Sequence, residues 1–279
     1  MMSNRGNYKT IYYDIAKGIA TLTLNRPEKL NAVNSEMDAE LNHAMDQAEK
    51  DDKVRVILLR GKGRAFSAGF DLTSGEGIPA TDVDFWHEEL RRNFDLVMRF
   101  WDCPKPTIAA VHGYCLGSAM EMAVACDITV AAEGSLFGAP EVKFGSGIVA
   151  LILPWLIGVK AAKELLLTGD DKVPAERALS LGLINKIVMK KDLLLSATEV
   201  ASKIARNDQL AVKLTKQAIN RSFEIMGMRD ALLESLELDV TIETTQTPDS
   251  KEFNSILKDK GLKAAMASRD NNLSKKGKS

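Results

Sequence analysis

Histidine and cysteine are scarce in this 279-residue chain, three of each. No histidine has a neighbour at zinc-ligand spacing, and His87-Glu88-Glu89-Leu90-Arg91 lacks the second histidine of H-E-x-x-H, so no metal site is expected. Cys103, Cys115 and Cys126 are odd in number and form no C-x-x-C pair, which argues for buried free thiols and against a disulfide framework. Charge of one sign is also lacking. Thirty-seven basic against 38 acidic residues leave a net charge of -1, so no global field draws the protein to nucleic acid or an anionic membrane. The longest apolar run, 147–159, has 13 residues and contains Pro154, short of the roughly 20 that a membrane helix needs. The first seven residues carry no apolar signal-peptide core, so the expectation is a cytoplasmic protein.

Nucleotide and serine-hydrolase motifs are missing as well. Gly61-Lys62-Gly63 fits neither the P-loop nor G-x-G-x-x-G, where Phe66 occupies the third glycine position. Ser67, Ser118 and Ser146 all fail the G-x-S-x-G elbow. What is present is ordinary globular composition, 45% hydrophobic and 27% charged, in a length that suits one large domain or a core with a helical appendage.

Residues 10–15 and 19–25 read as two antiparallel strands around Lys17-Gly18. Ser35 reads as the cap of an amphipathic helix, followed by a buried strand over 54–60. Residues 61–79 read as a glycine-containing loop and 82–101 as a helix. A second strand-turn-helix unit follows: strand 107–111, turn 112–117, helix 118–126 and strand 128–131. Beyond residue 160 the pattern is helical, near 160–168, 174–181, 192–206, 209–226, 229–244 and 249–258, with one strand at 185–188. The expected organisation is a core over 1–191, a helical region over 192–270 and a disordered polar tail over 271–279. His112, between a strand and a glycine turn, is expected to pack or hydrogen-bond rather than react, and Phe85, Trp86 and Phe94 either to fill the core face of their helix, which the periodicity favours, or to line a substrate pocket.

Glu121 stands out. Its neighbours in Leu116-Gly-Ser-Ala-Met-Glu-Met-Ala-Val-Ala-Cys126 offer no basic partner within helical reach, so its carboxyl is buried or faces a cavity. Burial of such a group raises its pKa and makes it a general acid/base candidate, with a distant arginine or an interface as the structural alternative. Gly113 and Gly117 bracket a tight turn into this helix, leaving backbone N–H groups near Ser118 free to face a ligand. Residues 66–72, Phe-Ser-Ala-Gly-Phe-Asp-Leu, supply a second glycine turn after a strand. Glu141 follows Pro140, and by its own neighbours could equally be a solvated turn residue paired with Lys143.

These residues resemble the crotonase superfamily, the enoyl-CoA hydratases and isomerases. The resemblance spans about residues 10–262 and rests on 24–32 (LNRPEKLNA), 64–72 (RAFSAGFDL), 105–117 (KPTIAAVHGYCLG), the Glu121 helix ending Ala125-Cys-Asp127, 137–141 (FGAPE), and 167–169 (LTG) through 178–183 (ALSLGL). It implies an α/β fold, a ClpP-like spiral of β-β-α units with a helical C-terminal region that assembles trimers or hexamers. It implies an acyl-CoA thioester as partner, coenzyme A being carried by the substrate, with no metal or redox cofactor. Carried over by position, the N–H groups of Phe70 and Ser118 form an oxyanion hole, and Lys29, Leu30, Ala68, Asp71 and Leu72 line the adenine and pantetheine path. Family hydratases use two glutamates 20 positions apart, the separation of Glu121 and Glu141. Retention of both implies water addition to an α,β-unsaturated thioester in fatty acid metabolism, one carboxylate taking a proton from water and the other delivering one to Cα.

Two positions differ from the hydratase pattern. Ser118 stands where glycine is usual, and Val149 where many hydratases carry a glycine that helps to position water, so the resemblance implies a reshaped pocket. Residues 249–258 match only loosely the family segment that reaches coenzyme A from a neighbouring subunit. The alternatives are another crotonase reaction, such as double-bond isomerisation or thioester hydrolysis, and a non-catalytic RNA-binding relative. The last requires a basic helical face, which the mixed charges of 82–101 do not provide.

Overall fold

A computed structural model describes residues 6–72 and 82–276, with side chains through Arg269. The chain opens with β1 (Ile11–Ala16) and β2 (Ile19–Leu24), antiparallel around Lys17-Gly18 as expected. Helix α1 (Ser35–Lys50) follows, but its cap is Asn34, whose side chain accepts from the Met37 N–H at 3.1 Å. Ser35 is the first helical residue; asparagine caps as well as serine, and the sequence alone does not rank adjacent candidates.

Strand β3 (Val56–Gly61) leads to the expected loop, of which residues 73–79 lie outside the described residues, and then to α2 (Val83–Asp102). Next come β4 (Thr107–Val111), β5 (Tyr114–Leu116), α3 (Ser118–Ala125), β6 (Ile128–Ala132), β7 (Leu136–Gly138) and α4 (Glu141–Phe144). Helices α5 (Leu153–Ile157) and α6 (Val159–Thr168), strand β8 (Val173–Pro174), helix α7 (Ala175–Leu181) and strand β9 (Lys186–Val188) complete this part. Five helices then run in succession: α8 (Leu193–Ala205), α9 (Gln209–Ile225), α10 (Met228–Thr244), α11 (Pro248–Lys260) and α12 (Leu262–Lys276). The backbone of 271–276, expected to be disordered, therefore continues α12, and 277–279 lie outside the described residues.

The large sheet has the order β1-β2-β3-β4-β6-β9, parallel from β2 onward; the small one has the order β5-β7-β8. Each pass of the chain contributes a large-sheet strand, a small-sheet strand and a helix: β4-β5-α3, then β6-β7-α4. The preceding pass joins the small sheet through a single bridge, Ser67 to Cys115, before α2. This is the expected spiral. Strand β5 falls within the segment expected to be a turn. Strands of three residues are too short for a period-two pattern, and only the partner strand identifies them.

The inner strands of the large sheet are buried on both faces, as parallel strands must be. Leu22, Leu24, Ile57, Leu59, Ala109, Val111 and Ala131 face the main core with α1, α2 and α3. The alternate residues Ile19, Val56, Leu58, Ile108, Ala110, Val130 and Ala132 face Leu193, Ala197 and Ala201 of α8. The helical region expected from residue 192 thus begins by covering the back of the sheet. Cys103, Cys115 and Cys126 are buried free thiols, as expected.

One polar residue ties the first loops together. Asn31 is wholly buried at φ 55°, and its Nδ2 faces the carbonyls of Lys62, Ala65 and Phe66 at 2.8, 2.9 and 3.1 Å. Its Oδ1 accepts from the Arg26 N–H at 2.9 Å, and its carbonyl accepts from Ser67 Oγ at 2.8 Å. Replacing Asn31 by alanine strands buried carbonyls, and chemical denaturation should show a loss of roughly 2–4 kcal/mol.

Candidate active site

The first turn of α3 and the segment carrying Glu141 meet because β5 and β7 pair, with Leu116 opposite Gly138. The Gly117 N–H donates to the Gly138 carbonyl at 2.8 Å, clamping the entry of α3 to the residues just before Glu141. Gly117 is the closest approach: a Cβ there would lie 2.6 Å from Glu141 Oε1. Helix α3 is buried along its whole length, and Glu121 with it, at 2% exposed.

The carboxyls are poorly compensated. Glu121 Oε1 accepts from the Ala150 N–H at 3.3 Å, while Oε2 of Glu121 and Oε2 of Glu141 meet no donor among the described residues. Lys143, the basic neighbour considered for Glu141, turns instead to Asp171 at 3.6 Å. Burial raises Glu121 well above the usual glutamate range, and the charges of Glu141 and Asp239 push it further, against the pull of the Ala150 amide. Burial, reinforced by Asp239, pushes Glu141 up to about 8. The repulsion between the two glutamates is reciprocal, so the second ionisation is the harder one. At neutral pH such a pair keeps at least one proton inside the fold, as paired acid/base chemistry requires.

Two backbone donors lie beside the pair. Gly69, at φ 91°, packs so closely on the start of α3 that a Cβ would come within 2.8 Å of the Leu116 carbonyl and 3.3 Å of the Ser118 nitrogen. Phe70 follows directly, bridged to Val33 through its neighbours: the Val33 N–H donates to the Gly69 carbonyl, and the Asp71 N–H to the Val33 carbonyl. The N–H groups of Phe70 and Ser118 therefore donate to no acceptor among the described residues. Donors held this way next to buried acids are the arrangement that stabilises an oxyanion.

A family model described as enoyl-CoA hydratase/isomerase matches residues 14–268. The chain belongs to this family. It is 39% identical over 217 residues to a probable mitochondrial enoyl-CoA hydratase of Dictyostelium discoideum, covering 74% of each chain. It is 37% identical to the short-chain-enoyl-CoA hydratase of Clostridium acetobutylicum over 74% of this chain and 79% of that one. An enoyl-CoA hydratase/isomerase crystal structure from Xanthobacter autotrophicus Py2 superposes with a TM-score of 0.92 at 48% identity, covering 95% of this chain and 98% of that one.

The remaining sites expected in this enoyl-CoA hydratase/isomerase family member are brought side by side in two strands of loop. Leu30, at φ 50°, accepts from the Ala68 N–H at 3.0 Å, and exposed Lys29 precedes it. Asp71 pairs with Arg26 at 3.0 Å, and Leu72 is exposed. Val149 is half-buried against the core, next to Ala150. His112 plays the expected packing role, its Nε2 lying 2.9 Å from the Gly63 carbonyl. Phe94 fills the core, whereas Phe85 and Trp86 are half-buried, stacked edge to face at 5.5 Å.

One acid was not anticipated from sequence. Asp239 of α10 is 2% exposed and presses on Gly147. A usable signal existed in Leu236-Glu-Leu-Asp-Val-Thr-Ile-Glu243: two acids four apart on a helix flanked by apolar residues, a like-charge spacing that isolated helices avoid.

The raised pKa of Glu141 has a consequence for stability. The unfolded chain ionises this group near 4.5 and the folded protein near 8, so wild-type stability falls as pH rises between those values. Glu141→Gln keeps the shape and removes the linkage. Its melting temperature should gain on wild type through this range and then level off, the gain corresponding to about 1–3 kcal/mol at pH 8.

Proposed function

We propose that the protein is an enoyl-CoA hydratase, adding water across the double bond of a 2-enoyl-CoA thioester. The observation that carries the reading is two glutamates, Glu121 buried and Glu141 half-buried, each with an enclosed and unpaired Oε2, beside two backbone N–H groups without acceptors among the described residues. In this reading the thioester oxygen accepts hydrogen bonds from the N–H groups of Phe70 and Ser118, which stabilise the enolate as water adds to Cβ. An ionised glutamate takes one proton from that water, and its protonated partner gives one to Cα. No redox change occurs, and no metal or redox cofactor is invoked. The segments around Lys29–Leu30 and Ala68–Leu72 would carry the adenine and pantetheine of coenzyme A.

The RNA-binding alternative finds little support on α2. Arg91 pairs with Asp95, Arg92 with Glu89 and Asp38, and Arg99 with Asp46 and Glu49, leaving no uncompensated basic face among them.

Replacing Glu121 or Glu141 by glutamine should lower hydration of a short enoyl-CoA by 10²- to 10⁴-fold, on the order expected for losing proton transfer, while calorimetry still registers thioester binding. Near-wild-type hydration by either variant removes the two-carboxylate mechanism. Double-bond migration without added oxygen, surviving one of the substitutions, assigns the isomerase reaction instead.

Self-association as a trimer or hexamer belongs to the same proposal. Leu167 and Ile225 are each 73% exposed, and Leu210, Met226 and Leu238 more than half exposed, an apolar surface that a partner copy would cover. Sedimentation at micromolar concentration should give a species at least three times the 30.5 kDa chain mass; a stable monomer contradicts it.

A further inference from the structure

Asp239 is poorly compensated among the described residues. Its side chain is buried, neither carboxyl oxygen meets a donor in hydrogen-bonding geometry, and the next acid along the same face, Glu243, repels it. A group so costly to fold is conspicuous. What it touches is the loop between the two halves of the glutamate site.

That loop is held at both ends by the glutamates. The Ser146 N–H donates to the Glu141 carbonyl at 3.1 Å, and the Ala150 N–H donates to Glu121 Oε1 at 3.3 Å. Between them α10 holds the loop from behind. Ser146 Oγ donates to Glu243 Oε1, and Asp239 lies against the bare Cα of Gly147, where a Cβ would stand 2.1 Å from Oδ1. Only glycine admits the carboxyl there.

We propose that Asp239 is a positioning residue for the reaction. With Glu243 it seats the 145–150 loop so that the Ala150 amide stays on Glu121, and its carboxyl shapes the field in which the glutamate pair exchanges its proton. The proposal rests on reading Glu121 and Glu141 as the acid and base. Among the described residues no cation pairs with Asp239 or with the two glutamates. Glu121 comes from α3, Glu141 from α4 and Glu243 from α10 itself. Helices α2 and α9 pack on α10, and the charges paired across these contacts are His87 of α2 with Glu237 of α10, and Arg229 of α10 with Asp102 of α2 and Glu224 of α9, while Lys216 of α9 pairs with Asp127. Burial and Glu243 push Asp239 up to about 7, against the pull of the Gly147 amide, and whatever charge it carries acts on Glu121 and Glu141.

The test is the pH profile of enoyl-CoA hydration by Asp239→Asn, with Glu121→Gln and Glu141→Gln in the same assay. Removing a negative charge makes the pair easier to ionise. The alkaline limb of kcat should therefore move to lower pH by roughly half a unit, with kcat at its maximum down about 10-fold and KM little changed. A folded Asp239→Asn enzyme whose limb and kcat match wild type overturns the proposal. If both glutamate variants remain active, the acid/base reading fails instead. If Asp239→Asn does not fold, Ser146→Ala decides: the seat predicts a several-fold loss of kcat at constant KM, and wild-type kcat overturns it.

Discussion

Two carboxyls are packed together inside this protein, Glu121 buried and Glu141 half-buried with its Oε2 enclosed, and folding must hold them there against both desolvation and their mutual repulsion. Removing a charge from water costs several kcal/mol even after relaxation, and that cost is met here by keeping protons on the acids rather than by ion pairs. Glu121 has one amide as its hydrogen-bonding partner, and Lys143 is drawn away to Asp171. The fold around the pair is consequently rigid where it must be: α3 is wholly buried, and its entry is clamped to the small sheet.

The spiral explains how the site can be assembled from short pieces. Each pass sends one strand into a large, twice-covered sheet that supplies the stability and one much shorter strand into the small sheet. The small sheet contributes less buried area but sets register. Through it, the turn at Ser67, the entry of α3 and the residues before Glu141 are stacked in adjacent layers. Phe70 and Ser118, far apart in sequence, thus present neighbouring N–H groups without either sitting in regular strand structure.

Helix α10 adds an acidic backing to this arrangement. Its apolar residues Leu232, Leu236 and Val240 pack into the main core, while Asp239 and Glu243 reach the loop that supports both glutamates. The core-facing residues and the acids that meet the loop are therefore adjacent on one helix. This is where stability and activity are expected to compete.

Much of this was legible in the amino-acid order. The strand over 107–111 and the helix from 118 follow from apolar runs between glycine turns, and Glu121 announces itself as an acid with no cation in reach. Those features depend on neighbours within a few residues, which local pattern records. The rest was decided by contacts between distant segments. Whether Asn34 or Ser35 caps α1, that β5 and β7 are strands, and that Asp239 faces Gly147 are set by which partner arrives across the fold. Glu141 shows the division best: in sequence it is a turn residue two places from a lysine, and only the pairing of Leu116 with Gly138 encloses its Oε2 and sets it beside Glu121. Hydrophobic period and turn chemistry are local properties of the chain, whereas desolvation and charge repulsion act through space, so they take their values only when the tertiary structure has closed.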